Sequence, residues 1–357
     1  MSVKRIAELK KAIQKENLDG VIVNHLDHIR YLTGFTGSAG LLVITPKGSE
    51  FFTDFRYKDQ SAKQVKGAKV NIIKYDTYNA LKDFPKFNKQ NFVYGYNEEY
   101  LTVGGLERLN KSLPNGILVN AGHLFTELGW VKDNDEIKNI QKAVDISDIA
   151  FERILSMIEP GIKEIELAAE LEYQMIMLGS EKPAFETIVA SGYRSALPHG
   201  EASKKKIKKG DFITFDFGAT VNGYVSDMTR TVVVGKATPR QKKIYNLVLK
   251  AQKAGIKKVK PGVLGKTVDN TCRSIITKAG YGKNFGHGTG HGIGYFVHIG
   301  PRLSSVSGDK LKPNNVITVE PGIYISGWGG VRIEDDVLVT RRGNKVMNKA
   351  PKKLLEL

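Results

Sequence analysis

The feature that most constrains this chain is a repeat of its own pattern about 100 residues further on. Glu159-Pro160-Gly161 opens the helical pattern IKEIELAAELEYQMIM, and Lys260-Pro261-Gly262 opens VLGKTVDNTCRSIITKAG. Asp211-Phe-Ile-Thr-Phe-Asp216-Phe-Gly218 resembles Asn315-Val-Ile-Thr-Val-Glu320-Pro-Gly322, and His199-Gly200 stands in the same relation to His298-Ile-Gly300. Three matches at nearly one spacing predict two similar α+β units, paired so that equivalent positions face each other.

A separate α/β pattern precedes the repeat. Residues 4–16 read as a helix, and the apolar run from Gly20 to Asn24 reads as a strand. Residues 40–45 and 50–53 flank the turn signal Pro46-Lys-Gly48 and read as a hairpin, with a helix starting near Asp54. This part carries no nucleophile, metal cluster or phosphate loop, and Gly34-Phe35-Thr36-Gly37-Ser38 is too short and irregular for a dinucleotide fingerprint. Trp130 to Asp135 reads as a polar, turn-like segment before a long helical pattern that begins at Ile137. The expected domains are therefore 1–128 and 129–357, which suits a chain too long for one core.

With 41% hydrophobic and 25% charged residues the chain reads as a soluble globular protein. No apolar run approaches the roughly 20 residues needed to span a bilayer, and the start lacks the pattern of a secretory signal. A single cysteine, Cys272, excludes an internal disulfide framework and fits a reducing compartment, so the expected location is cytoplasmic, with no membrane partner. The net charge of +17 raises the question of nucleic acid. The lysines are scattered, however, and the one dense run, Lys204 to Lys209, has no interleaved aromatics for base stacking. A basic surface is expected, and no nucleic-acid partner.

Alternation along Ile213-Thr-Phe-Asp-Phe217 puts Ile213, Phe215 and Phe217 on one strand face and Thr214 and Asp216 on the other. The turn residues from Gly218 to Gly223 return the chain through Tyr224-Val-Ser-Asp-Met-Thr-Arg-Thr, which brings Asp227 near Asp216. The second unit repeats the device with Glu320 before its turn and Glu334 after it, in Val331-Arg-Ile-Glu-Asp335. Four semi-buried carboxylates would repel one another and resist ionisation, whereas two divalent cations would cancel that cost. Phe285-Gly-His287-Gly-Thr-Gly-His291-Gly supplies imidazole from a backbone free to approach closely. Oxygen-rich ligation with one imidazole suits Mn²⁺, taken first here, or Co²⁺, Zn²⁺ or Fe²⁺. His291 has no partner in the first unit, because its counterpart falls near Ser191-Gly192; the two metals should therefore be inequivalent.

Asp-Phe-Gly with a second Asp before Thr-Arg-Thr, the Gly-His-Gly-x-Gly-His run, Val-Glu-Pro-Gly and Arg-Ile-Glu-Asp together resemble the pita-bread metallopeptidases. Within them the chain is similar to the proline-specific branch of Xaa-Pro aminopeptidases and Xaa-Pro dipeptidases (prolidases). Arg30-Tyr-Leu-Thr-Gly-Phe-Thr-Gly-Ser38 and Thr53-Asp-Phe-Arg-Tyr57 extend the resemblance to a creatinase-like amino-terminal domain. The resemblance implies a creatinase-like α/β domain followed by a pseudo-twofold pita-bread domain. It makes Asp216 and Asp227 ligands of one metal, His291 and Glu320 ligands of the other, and Asp227 and Glu334 bridges. Glu320 also becomes the general base. His199, His287 and His298 line the substrate site, with His298 supporting the oxyanion, and Arg332 lies near the substrate unless it pairs with Asp335 or Asp336. The implied reaction is hydrolysis of the bond between an amino-terminal residue and a following proline, by a homodimer.

The reading is an aminopeptidase, with a dipeptidase as the alternative. A pita-bread binding protein that has lost its metals, a metal-free creatinase-type amidinohydrolase and a methionine aminopeptidase are weaker alternatives. The complete ligand set opposes the first two, while the amino-terminal domain and Arg332 oppose the third. One departure stands out: Ile299-Gly300-Pro301 follows His298 where many relatives have an acidic residue next.

Overall fold

A computed structural model describes residues 2–74 and 76–357. The chain divides into two compact units, 1–128 and 129–357.

In the first unit α1 (Ser2–Lys15) leads into β1 (Gly20–Val23), α2 (Leu26–Thr33) and the hairpin β2 (Leu41–Thr45) and β3 (Gly48–Asp54). The Asp54 side chain accepts from the Arg56 backbone and caps the turn that opens α3 (Lys58–Gln64). β4 (Lys69–Ile73), β5 (Val93–Tyr96), α4 (Val103–Ser112), β6 (Ile117–Asn120) and α5 (His123–Thr126) complete it. The strands form one mixed sheet in the order β4-β3-β2-β1-β5-β6. Its central strands β1 and β2 are apolar and buried but for Thr45 at the end of β2, as both faces are covered.

The second unit is built twice over. The first half comprises α6 (Asn134–Ile154), α7 (Glu164–Met177), β7 (Ile188–Ser191), β8 (Phe212–Phe217), β9 (Thr220–Val221), β10 (Tyr224–Val225) and β11 (Met228–Val233). The second half comprises α8 (Pro239–Lys258), α9 (Gly265–Lys278), β12 (Gly290–Gly292), β13 (Ile299–Leu303), β14 (Val316–Val319), β15 (Gly322–Ile325), β16 (Gly329–Arg332), β17 (Asp335–Val339) and β18 (Asn344–Val346). The sheet order β11-β8-β7 in one half matches β17-β14-β12 in the other. In each half a helix pair covers its sheet. Ile213, Phe215 and Phe217 are buried with Phe151 and Leu171, while Ile317 and Val319 are buried with Val248 and Val268. Each fully buried side chain of this size contributes roughly 1.5–3 kcal/mol, which fixes the register and turns Asp216 to the opposite face.

The long helix whose apolar pattern starts at Ile137 opens at Asn134, where Asp133 and Glu136 form a reciprocal capping box, and one local expectation changes. The segment before it is not merely a polar turn: Lys132 is buried, and the Trp130 ring packs so closely on Gly300 that a Cβ there would lie 1.9 Å from Cζ2. Side-chain stems and rings let a nominally polar stretch fill interior space.

Candidate metal centre

The two halves place their acids by the same device. In the first, β8 carries Asp216, the small β9–β10 hairpin follows, and Asp227 stands immediately before β11, which pairs back onto β8 with Met228 opposite Phe217. In the second, Glu320 follows β14, the β15–β16 hairpin intervenes, and Glu334 precedes β17, which returns with Asp335 opposite Val319. A turn between paired strands thus holds each acid pair together.

β12 places the histidine. Added Cβ atoms at Gly290 and Gly292 would lie 2.1 Å from the Thr318 carbonyl oxygen and 2.2 Å from the Gly300 carbonyl oxygen, so only glycine allows this strand to sit where it does. His291 Nδ1 lies 3.2 Å from the Gly292 carbonyl oxygen, so that nitrogen carries the proton and Nε2 keeps its lone pair. Nε2 points at the acids, 3.4 Å from Glu320 Oε1 and 3.6 Å from Asp227 Oδ2. Register gives the histidine's counterpart in the first half. Ser191 lies opposite Ile213 and Gly292 opposite Ile317, so His291 corresponds to Ala190, one residue before the expected Ser191-Gly192. The counterpart still lacks an imidazole, and the asymmetry stands.

All nine residues singled out in the sequence line one cavity of about 580 Å³: Asp216, Asp227, His291, Glu320, Glu334, His199, His287, His298 and Arg332. Asp227, His291 and Glu334 are buried, and each offers a ligand atom within 4.8 Å of the others. Burial, then the neighbouring Glu334 and Asp216 charges, pushes the Asp227 carboxyl well above its ordinary range. Burial, then Glu320 and Asp216, does the same to Glu334. Burial raises Glu320 to about 7. Burial also lowers His291 to about 3, which keeps its imidazole neutral and able to ligate. Asp216 Oδ1 is buried without a hydrogen-bond partner. Crowded carboxylates, an orphaned oxygen and a neutral imidazole together form a donor set that fits divalent cations.

The surrounding residues divide into two kinds. Arg332 is buried, and its N–H groups go to the protein: Nε to Thr229 Oγ1, Nη1 to the Pro198 carbonyl and Tyr324 hydroxyl, and Nη2 to Asp216. Its acidic partner is therefore Asp216, whereas Asp335 pairs with Arg230. His287 is engaged on both nitrogens, Nδ1 with the Gly288 carbonyl at 2.7 Å and Nε2 with the Tyr324 hydroxyl at 2.9 Å. His199 and His298 are exposed on the cavity wall, the His298 ring centroid lying 4.4 Å from that of His291.

Sequence reasoning missed three residues here. Thr229 donates to Glu334 Oε2 at 2.6 Å and accepts from Arg332, and Tyr324 links Arg332 to His287. Arg302 lies on the cavity wall. Thr229 was visible inside Thr-Arg-Thr beside Asp227, and Tyr324 lies four residues past Glu320; nothing local marked Arg302.

Residues 138–341 match the model of metallopeptidase family M24, more than half of the chain. The chain belongs to this family. Residues 5–128 match the creatinase/prolidase amino-terminal domain, so the M24 catalytic domain follows a creatinase-type one. Among relatives, the M24 chain is 38% identical to an Xaa-Pro dipeptidase of Pyrococcus horikoshii, over 99% of this chain and 98% of the relative. The structure of an Xaa-Pro dipeptidase from Bacillus anthracis superposes with a TM-score of 0.96 at 42% identity, covering 100% of both chains. That of an X-Pro aminopeptidase from Thermotoga maritima superposes with a TM-score of 0.90 at 35% identity, covering 99% of each. As an M24 member the chain is a metallopeptidase, its substrates are peptides, and its cofactors are divalent metal ions. Among the described residues no helix is long and apolar enough to cross a membrane.

Proposed function

We propose that this metallopeptidase hydrolyses the bond between an amino-terminal residue and a following proline, as an Xaa-Pro aminopeptidase. The observation that carries the reading is the convergence of four carboxylates and one neutral imidazole on a single cavity. Asp216, Asp227, His291, Glu320 and Glu334 would hold two divalent ions, which we take to be Mn²⁺. Bound there, the ions supply Lewis acidity toward the scissile carbonyl and bring the pKa of water toward neutrality. Glu320 accepts the proton of the attacking water and returns it to the leaving proline nitrogen; the Thr318 hydroxyl, 3.2 Å from Oε1, steadies it. His298 and His199, exposed on the wall, donate to the carbonyl oxygen as negative charge develops. His287 and Arg332, whose nitrogens are already bonded within the protein, position Tyr324 and Asp216.

A second reading has its own support. Arg302 is exposed on the cavity wall, makes no ion pair among the described residues, and carries the group best shaped to grip a free carboxylate. That favours a dipeptidase, the activity named for the Pyrococcus and Bacillus relatives. Hydrolysis of Ala-Pro, Ala-Pro-Ala and a longer Xaa-Pro peptide, with added Mn²⁺ or Co²⁺, separates the two. Cleavage of all three supports the aminopeptidase, and cleavage of Ala-Pro alone supports the dipeptidase. No cleavage of any of them, with turnover of creatine instead, contradicts both. We further assign a cytoplasmic location, on the single free Cys272, and a homodimer, on the family resemblance.

A further inference from the structure

Beside the metal centre lies a second set of charges, Arg230 and Asp335 buried and Lys352 half-buried, none of which lines the cavity. Arg230 is 1% exposed and pairs at 2.8 Å with Asp335, which is 0% exposed. The Arg230 guanidinium spans three parts of the chain. Nη1 donates to the carbonyl oxygens of Thr229 and Glu334, and Nη2 donates to Asp335 and to the carbonyl oxygen of Ala350. The other Asp335 oxygen accepts from Gln252 and from Lys352 Nζ. Lys352 belongs to the carboxy-terminal segment, which continues along β11 through backbone bonds from Val233 to Leu355 and from Leu357 to Val233.

A buried ion pair of this kind adds little net stability over apolar packing. Its geometry serves another end. Asp227 comes from the first half and Glu334 from the second, and once they ionise to take a metal their charges repel at ligand distance. Without an opposing restraint the halves would spread and metal would have to gather its own ligands. Arg230 bonds to the backbone of Glu334 itself and to that of Thr229, whose hydroxyl holds the Glu334 carboxylate. Burial alone would raise Asp335, but Arg230 and Lys352 outweigh it and hold the carboxyl below its ordinary range, as a charged partner for the guanidinium.

We propose that Arg230, Asp335 and Lys352 form a positioning unit that sets the spacing of Asp227 and Glu334, so that the carboxy-terminal segment takes part in metal retention. The proposal rests on the reading of these acids as metal ligands. It is tested by titrating chelator-treated full-length protein with Mn²⁺ in a calorimeter while recording the melting temperature of the metal-free form. Lys352→Met is expected to weaken Mn²⁺ affinity by about 10-fold, the lower end of what losing a group bonded to a ligand costs, since Lys352 acts through Asp335 and Arg230, while Lys352→Arg restores it. Wild-type affinity in Lys352→Met overturns the proposal, whether or not the melting temperature falls, because a merely structural lysine would change only the latter. If Lys352→Met does not fold, Asp335→Asn, which keeps the shape and removes the charge, is held to the same two outcomes. If the wild-type protein takes up no Mn²⁺, it is the ligand reading itself that fails.

Discussion

At the scale of single residues the site is governed by acids held where they resist ionisation. Glu334 is 1% exposed, and among the described residues its carboxylate accepts a hydrogen bond from Thr229 alone. A carboxyl raised by burial keeps its proton in the native state at a pH where the unfolded chain has released it. Its contribution to stability is therefore present below the ordinary carboxylate range and is lost as pH rises through the folded value, which for Glu320 is about 7. Chelator-treated protein should lose melting temperature between about pH 5 and about pH 8, while added Mn²⁺ should stabilise it more at the upper end, since ligands must be deprotonated to bind. A metal-induced gain that shrank with rising pH would contradict this. Glu320→Ala should lower turnover by several orders of magnitude and leave the circular dichroism spectrum unchanged; near-normal turnover would remove the general-base assignment. The four acids were legible because the repeat singled them out, whereas the histidines and Arg332 were legible through the motifs that carry the family resemblance. The bonds that support them were not: Arg230 meets Asp335, 105 positions away, and Arg332 meets Asp216, 116 positions away. Spacing along a chain carries no signal for such pairs.

At the scale of elements the site depends on strands that approach unusually closely. Gly290→Ala would drive a methyl group into the Thr318 carbonyl and push β12, with His291, away from β14. The expected cost is about 1–3 kcal/mol of stability, with one metal ion lost while the other is kept. Gly308→Ala is the control, because nothing lies within 4 Å of a Cβ there. Denaturant unfolding and metal analysis of both variants check it. The apolar alternation in β8 and β14 and the two Pro-Gly helix starts were readable because they follow local periodicity. The helix α8 was not singled out, although Thr238, Pro239 and Gln241 form a capping box with proline at the first turn. Trp130 and Lys132 were misjudged because burial depends on Gly300 and Gly294, far along the chain, leaving room for them.

At the scale of the whole molecule the repeat accounts for the layout of the catalytic unit, and His291 is the exception to it. Equivalent sheets deliver two acids each, while His291 stands where the first half has Ala190. Both domain types were recognisable from motifs, whereas assembly has no signature of its own in the sequence. A homodimer should sediment at twice the 39.5 kDa of one chain, and a concentration-independent monomer would contradict it. The most direct test of the central account is the metal content of protein purified without chelator and dialysed against metal-free buffer. Two divalent ions per chain, falling to about one in His291→Ala, is the predicted result. A protein that binds no metal and cleaves an Xaa-Pro peptide undiminished in the presence of chelator would contradict it.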